Sequence, residues 1–494
     1  MDFDRAATGV AGLDEILGGG FPRNRMYLVE GDPGAGKTTL ALQFLLEGVR
    51  KGESGVYATL SETEEELRDV ASSHGWSLDE VTICDLQGSE ESLKAESQYT
   101  LFHPSEVELS ETTRTVLDAV ERINPKRVVF DSLSEMRLLA RDSLRYRRQI
   151  LALMQYFTQR DCTVLLLDYN GVASGDFQLQ SLTHGVLSLE QLVPEYGGQR
   201  RRLRLKKVRG VRFRDGYHDF TIKTGGLVVY PRLVAADHPH DFTREALPSG
   251  LPELDQLLGG GVDRGTSLML LGPSGVGKTT LTSQYVMAAA QRGEQAAVFL
   301  FDESPATWRI RAEGLGLQVG EHLESGRIAL RQIDPAEMSP GEFSSAVQRA
   351  VADGCRIVVI DSLNGYRHAM PEERFLTLHL HEMLTYLNQQ GVVTFLVLAQ
   401  HGLVSADLES TIELTYLSDN IILARYFEAF GAVRQAISVV KKRTGNHERS
   451  VREIRLGPGI QVGERLDQFQ GILSGQQLVF DGNQHERLLG TGHG

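Results

Sequence analysis

The sequence predicts an α/β protein of two tandem domains, each a mostly parallel sheet with helices on both faces and an antiparallel extension. Three observations carry this. The chain is written twice: "TGVAGLDEILGGGFPRNRMYLVEGDPGAGKTTLALQF" is echoed by "SGLPELDQLLGGGVDRGTSLMLLGPSGVGKTTLTSQY", with 241 residues from Lys37 to Lys278 and again from Glu62 to Glu303. Short β-branched runs alternate with amphipathic stretches, as in strands joined by crossover helices. Each repeat also sets a glycine-rich word between an apolar strand and a helix. At 494 residues the chain is too long for one core and long enough for two.

Taken in order, "RMYLVEG" reads as a strand leading into a helix from Lys37 to Lys51, and "SGVYATL" as a strand leading into a helix from Glu64 to His74. "KRVVFDS" is a third strand, a helix spans Ser143 to Arg160, and "CTVLLLDY" is a fourth strand. Then the helices stop: "HGVLSLEQL", "RRLRLKKV" and "YHDFTI" read as consecutive strands, which fits an antiparallel continuation. Pro, His and mixed charge in "YPRLVAADHPHDFTREALPSG" mark the join. The expected organisation is a first domain over 1–232, a linker over 233–246, a second domain over 247–466 and a flexible tail over 467–494, whose end is rich in Gly and polar residues.

Composition is that of a globular protein. The start "MDFDRAATGV" has no basic segment followed by an apolar one, and runs such as "VVTFLVLA" are far short of the roughly 20 residues that span a bilayer. A cytoplasmic protein without membrane segments is therefore expected. Cys84, Cys162 and Cys355 lie far apart, with no CxxC pair, so neither a disulfide framework nor a zinc site is indicated. A formal net charge of −14 argues against a nucleic-acid coat.

"GDPGAGKT" (Gly31 to Thr38) and "GPSGVGKT" (Gly272 to Thr279) both satisfy GxxxxGK[ST] in the strand-then-helix setting that the motif needs. Glycines let successive backbone N–H groups turn inward around phosphate oxygens, and the helix N-terminus adds partial positive charge. The expected nucleotide contacts are Gly31, Gly34, Gly36, Lys37, Thr38 and Thr39 in the first repeat. Gly272, Gly275, Gly277, Lys278, Thr279 and Thr280 are their twins in the second. Lys37 and Lys278 would reach the terminal phosphates of ATP, and Thr38 and Thr279 would ligate Mg2+. "RVVFDS" and "RIVVIDS" end strands in Asp131 and Asp361, the acids expected to hold the metal through water.

In "TLSETEE" the strand stops just before Ser61 and Glu62; its twin stops before Asp302 and Glu303. At the carboxyl end of a parallel strand these positions face the ligand crevice, where a carboxylate can orient or deprotonate an attacking hydroxyl. "SETEEE" also reads as a capped helix start, with Ser61 or Thr63 as cap.

Two GxxxxGK[ST] domains in tandem, preceded by "GLDEILGGGFP" or "ELDQLLGGGV" and followed by an acidic strand end and then "FDS" or "IDS", resemble the KaiC family of RecA-like ATPases over nearly the whole chain. The resemblance implies RecA-like domains, Mg-ATP hydrolysis and a hexameric double ring with ATP between neighbouring subunits. It also implies a pair of adjacent glutamates after the second strand of each domain as the catalytic base. Here the pairs are Ser61–Glu62 and Asp302–Glu303, so the expected catalytic residues are Glu62, Asp302 and Glu303, with Glu62 alone in its pair.

The family carries a K-x-R element that reaches the γ-phosphate bound by the adjacent subunit; it matches Lys207 and Arg209, and Lys441 and Arg443. The other charges of "RRRLRLKKVRGVRFR" have two readings: a nucleic-acid groove or the solvated face of a half-buried strand. The family's second domain phosphorylates an adjacent Ser and Thr, which "LTYLSDNIIL" matches with Thr415 and Tyr416, leaving Thr415 as the expected phosphosite and Ser418 or Ser410 as reserves. The "F..I.SG" word in the tail resembles the segment that the family presents to a KaiA-type activator, so KaiA- or KaiB-like signalling partners are implied. Different-class alternatives are a DNA recombination or helicase ATPase and a non-enzymatic nucleotide-gated scaffold.

Overall fold

The computed structural model describes residues 4–86, 104–140, 142–169, 177–194, 197–334, 336–368, 375–400, 416–473 and 478–479. The chain forms two compact units, Met1–Arg232 and Leu233–Gly494.

The first unit is built on a nine-stranded sheet. Its strands lie in the order Gly226–Tyr230, His218–Lys223, Arg200–Val208, Gly185–Leu192, Met26–Gly31, Thr163–Asp168, Arg127–Asp131, Gly55–Thr59 and Val81–Asp85. The six from Gly185–Leu192 to Val81–Asp85 run parallel, and the remaining three continue antiparallel. Both faces are covered: along the central strand Tyr27 and Val29 enter one apolar cluster while Met26 and Leu28 enter another. That period-2 split is why "RMYLVEG" is apolar at nearly every position.

The second unit repeats this plan. Its nine strands lie in the order Ile328–Gln332, Gln295–Leu300, Cys355–Asp361, Val393–Ala399, Ser267–Gly272, Asn420–Ala429, Ala432–Lys442, Arg452–Gly457 and Gly459–Arg465. The first six are parallel and the last three antiparallel. Registers match between the repeats: Thr59 stands opposite Asp131, and Leu300 opposite Asp361.

Two segments differ from expectation. The 233–246 stretch is folded onto the second unit: Leu233 and Ala235 join its core, the Ala235 N–H donates to Glu382 at 3.2 Å, and Gln390 donates to the His238 carbonyl at 2.8 Å. Part of the stretch expected to be a free tail is also folded. Phe469–Gln470 pairs with Leu478–Val479, and Phe469 and Ile472 pack on Phe427 and Ala429, because the segment's apolar residues have a sheet surface to cover.

The basic strand Arg200–Val208 buries Leu203, Leu205 and Val208, while Arg200, Arg202 and Arg204 alternate with the leucines on the other face. Arg202 donates to Glu190 at 2.9 Å, and Arg202 and Arg204 stack over Tyr217 at 4.1 and 4.9 Å. Lys206 pairs with Glu30. Charge committed to partners within the chain is the half-buried strand reading, not an open phosphate groove. Among the described residues no helix is long and apolar enough to cross a membrane.

Candidate functional site

The two glycine-rich words form matching strand–loop–helix turns. Met26–Gly31 leads through the loop to the helix Lys37–Arg50, and Ser267–Gly272 leads to Lys278–Gln291. Gly36 and Gly277 cap these helices with φ of 96° and 103°, a region that favours glycine. A Cβ at Gly277 would also lie 2.5 Å from Leu456 Cδ1. The first N–H groups of each helix have no intrahelical acceptor, as an anion site at a helix start requires.

Inside each loop lies a buried lysine. Lys37 Nζ donates to the Gly31 and Asp32 carbonyls at 2.7 and 3.1 Å; Lys278 Nζ donates to those of Gly272 and Pro273 at 2.8 and 2.6 Å. Burial lowers the pKa of both, that of Lys278 to about 8, while Asp131 beside Lys37 and Asp361 beside Lys278 oppose the shift. Each is a buried ammonium group inside a glycine-rich turn, a placement that suits contact with a phosphate oxygen.

Asp131 and Asp361 end the strands next but one to the loop strands, both buried, and burial raises both pKa values, that of Asp361 to about 6. Asp131 accepts from the Tyr57 hydroxyl at 2.6 Å. Asp361 faces the Thr279 hydroxyl, and its Oδ2 is buried without a hydrogen-bond partner. A carboxylate left short of donors beside a threonine hydroxyl fits a magnesium ion completed by water and phosphate oxygens. Among the described residues no group of three His, Cys, Asp or Glu forms a metal cage.

The acid pairs lie one strand further along. Thr59 fixes the backbone of the first: its Oγ1 accepts from the Glu62 N–H at 3.0 Å and donates to the Glu62 carbonyl at 2.7 Å. Thr63, not Ser61, caps the helix Glu64–Ser73 in a reciprocal capping box with Glu66. The capped-helix reading therefore holds at Thr63, and leaves Glu62 outside the cap. Glu62 Oε2 is buried without a partner, and burial, then Asp131 and Glu66, raise its pKa, opposed by Thr38 and Lys37.

The first members of the pairs face elsewhere. Ser61 Oγ donates to Ser132 Oγ at 3.1 Å, and in the second unit Ser362 donates to Asp302. Asp302, expected in the catalytic pair, thus binds the hydroxyl next to the strand-ending Asp361. Glu303 is held by both guanidinium nitrogens of Arg311, at 2.5 and 2.6 Å.

The K-x-R elements lie at the opposite end of the parallel strands from the loop of the same unit, level with the start of the strand that leads into it. The Arg209 N–H donates to the His184 carbonyl, whose own N–H bonds Met26, where the strand toward the loop starts. The loop begins five residues on, about 16 Å away. Lys207 donates to the Gln180 and Ser181 carbonyls and Arg209 to Ser181. Lys441 likewise donates to the Ser418 carbonyl at 2.6 Å, and Arg443 to Tyr416 and Asp419. Neither element can touch the phosphates of its own unit. Thr415 and Ser410 lie outside the described residues; Ser418 is fully buried, which is against its use as a reserve phosphosite in this conformation.

Asp168 went unnoticed in the sequence. It ends the strand Thr163–Asp168, is buried, and accepts from Ser134 and Arg137 at 2.5 and 2.8 Å. The signal was there in "LLLDY", but the corresponding register position in the second sheet is Leu398, so the repeat concealed it.

Fold and site together define a tandem P-loop NTPase of the RecA-like class. A family model described as "ATPase: KaiC" matches residues 6–234 and again 247–467, and the chain belongs to the KaiC family of ATPases. It is 25% identical to "Circadian clock protein KaiC3" of Synechocystis sp. over 99% of this chain and 97% of that protein. It is also 25% identical to "Circadian clock oscillator protein KaiC" of Parathermosynechococcus lividus, over 97% of this chain and 89% of that protein.

Proposed function

We propose that the chain is a Mg-ATP-dependent switch protein in which the first domain hydrolyses ATP with Glu62 as base. The second domain, using Glu303, turns over slowly and transfers phosphate to Thr415. The observation that carries this reading is Glu62 itself: a half-buried carboxylate with an unpartnered oxygen, one strand from Asp131 and within reach of the charge of Lys37. Its raised pKa makes it a better proton acceptor than a surface glutamate. Lys37 and the N–H groups at the helix start would hold the phosphates, and Thr38 and Asp131 the magnesium, which would neutralise charge on the transferring group. Asp361 and Thr279 do the same in the second domain.

The remote positions of Lys207, Arg209, Lys441 and Arg443 support a site completed in trans, hence a homo-hexamer with ATP at subunit boundaries. Such an assembly would work in the cytoplasm as a timing or signalling device, with KaiA- or KaiB-like partners; the timing role is supported by the names of the relatives, which call them circadian clock proteins. A second reading, of a second domain that binds ATP without turning it over, is favoured by the Glu303–Arg311 ion pair. Intact-mass measurement after incubation with Mg-ATP separates the two. A phosphate adduct lost in Thr415→Ala and absent in EDTA supports transfer; no adduct under any condition excludes it.

A further inference from the structure

We propose that Arg311 is a positioning residue that restrains Glu303 and makes the second site the slower one. The inference rests on the reading of Glu303 as a base. Glu303 stands just before the Ser304 cap of the helix Pro305–Gly314, and Arg311 lies in its last turn. Eight residues separate them, about 10 Å along the helix. Side chains lean toward the helix N-terminus, and arginine is long enough to fold back over that distance. It does so and meets Glu303 fork to fork, with one donor on each carboxylate oxygen. Both partners are largely withdrawn from solvent, with 32% and 18% of their side-chain surface exposed. A two-point pair of this kind is among the stronger and more directional ones.

The consequence is chemical. A general base needs a free lone pair aimed at the hydroxyl it deprotonates. Arg311 takes one lone pair of each Glu303 oxygen and fixes the direction of those that remain, and the other acid of the pair, Asp302, is bound to Ser362. The first domain lacks the device. Register places Val70 where Arg311 stands, with buried Leu67 matching buried Trp308 one turn earlier. Glu62 accordingly keeps an oxygen without a partner. Among the differences between the two sites, this arginine is the one that touches the carboxylate read as the base.

The test uses the full chain in a Glu62→Gln background, so that phosphate release reports the second site. Arg311→Met is expected to raise kcat roughly tenfold, with KM for ATP changed less than about twofold. Arg311→Lys, which keeps the charge but loses the fork, should fall between the two. Adding Glu303→Gln to Arg311→Met should abolish the gain. A kcat that stays level or falls in Arg311→Met overturns the proposal; if that variant fails to fold, a level or lower kcat in Arg311→Lys does the same. The base reading is judged separately: if Glu303→Gln alone, in the same background, removes the residual turnover, Glu303 remains the base even though the restraint is wrong. A gain that survives Glu303→Gln overturns both.

Discussion

Glu62 and Asp361 show how burial prepares a carboxylate for two different tasks. Glu62 is raised by desolvation and by the nearby charges of Asp131 and Glu66. A base with a raised pKa is protonated, and disabled, at a higher pH than a free glutamate. First-site turnover should therefore have an acid limb above the ordinary value of 4.5, and a pH–rate profile of Glu303→Gln protein would display it. Asp361 is raised to about 6, so the metal-free fold binds its proton more tightly than the unfolded chain does. That contribution to stability is full below the ordinary value of 3.8 and is lost as pH rises through about 6. Asp361→Asn should accordingly stabilise the metal-free protein by roughly 1–3 kcal/mol above pH 7, with the difference shrinking as pH falls through 6. Denaturation in EDTA at both pH values checks this, and the same variant should lose magnesium-dependent turnover.

The strands and loops were legible because their signals are local and were written twice. Apolar runs ending in Asp131 and Asp361, and glycines that must adopt positive φ, leave the chain few other options. What stayed hidden depends on contacts across elements. Nothing in "SPATWRIRAEG" announces that Arg311 turns back to Glu303, because a spacing of eight falls outside the i, i+4 rule. Asp168 was hidden by the repeat itself, and the folded tail start depended on an apolar surface supplied by Phe427 and Ala429. The capping box on the helix Glu64–Ser73 allows a test at this scale. Thr63→Ala should cost the first domain about 1 kcal/mol, readable by chemical denaturation. Turnover should fall less than in Thr59→Val, since Thr59 holds the Glu62 backbone.

Across the whole molecule, each unit carries its phosphate loop at one end of the parallel strands and its K-x-R element at the other, and the proposal that a neighbouring subunit completes each site can be tested by mixing. Lys37→Ala with its second-site twin Lys278→Ala should be inactive, and so should Lys207→Ala with Lys441→Ala. Mixing the two inactive proteins with ATP should restore part of the turnover, because mixed rings contain boundaries where an intact loop meets an intact K-x-R element; an inactive mixture would count against completion in trans. The central claim, that Glu62 and Glu303 are the bases and Glu62 carries most of the flux, is tested most directly by phosphate release from four proteins: wild type, Glu62→Gln, Glu303→Gln and the double variant. Glu62→Gln should lose most of the turnover, by roughly 10²-fold at the first site, and the double variant the remainder. Turnover in the double variant equal to that of wild type would contradict the assignment.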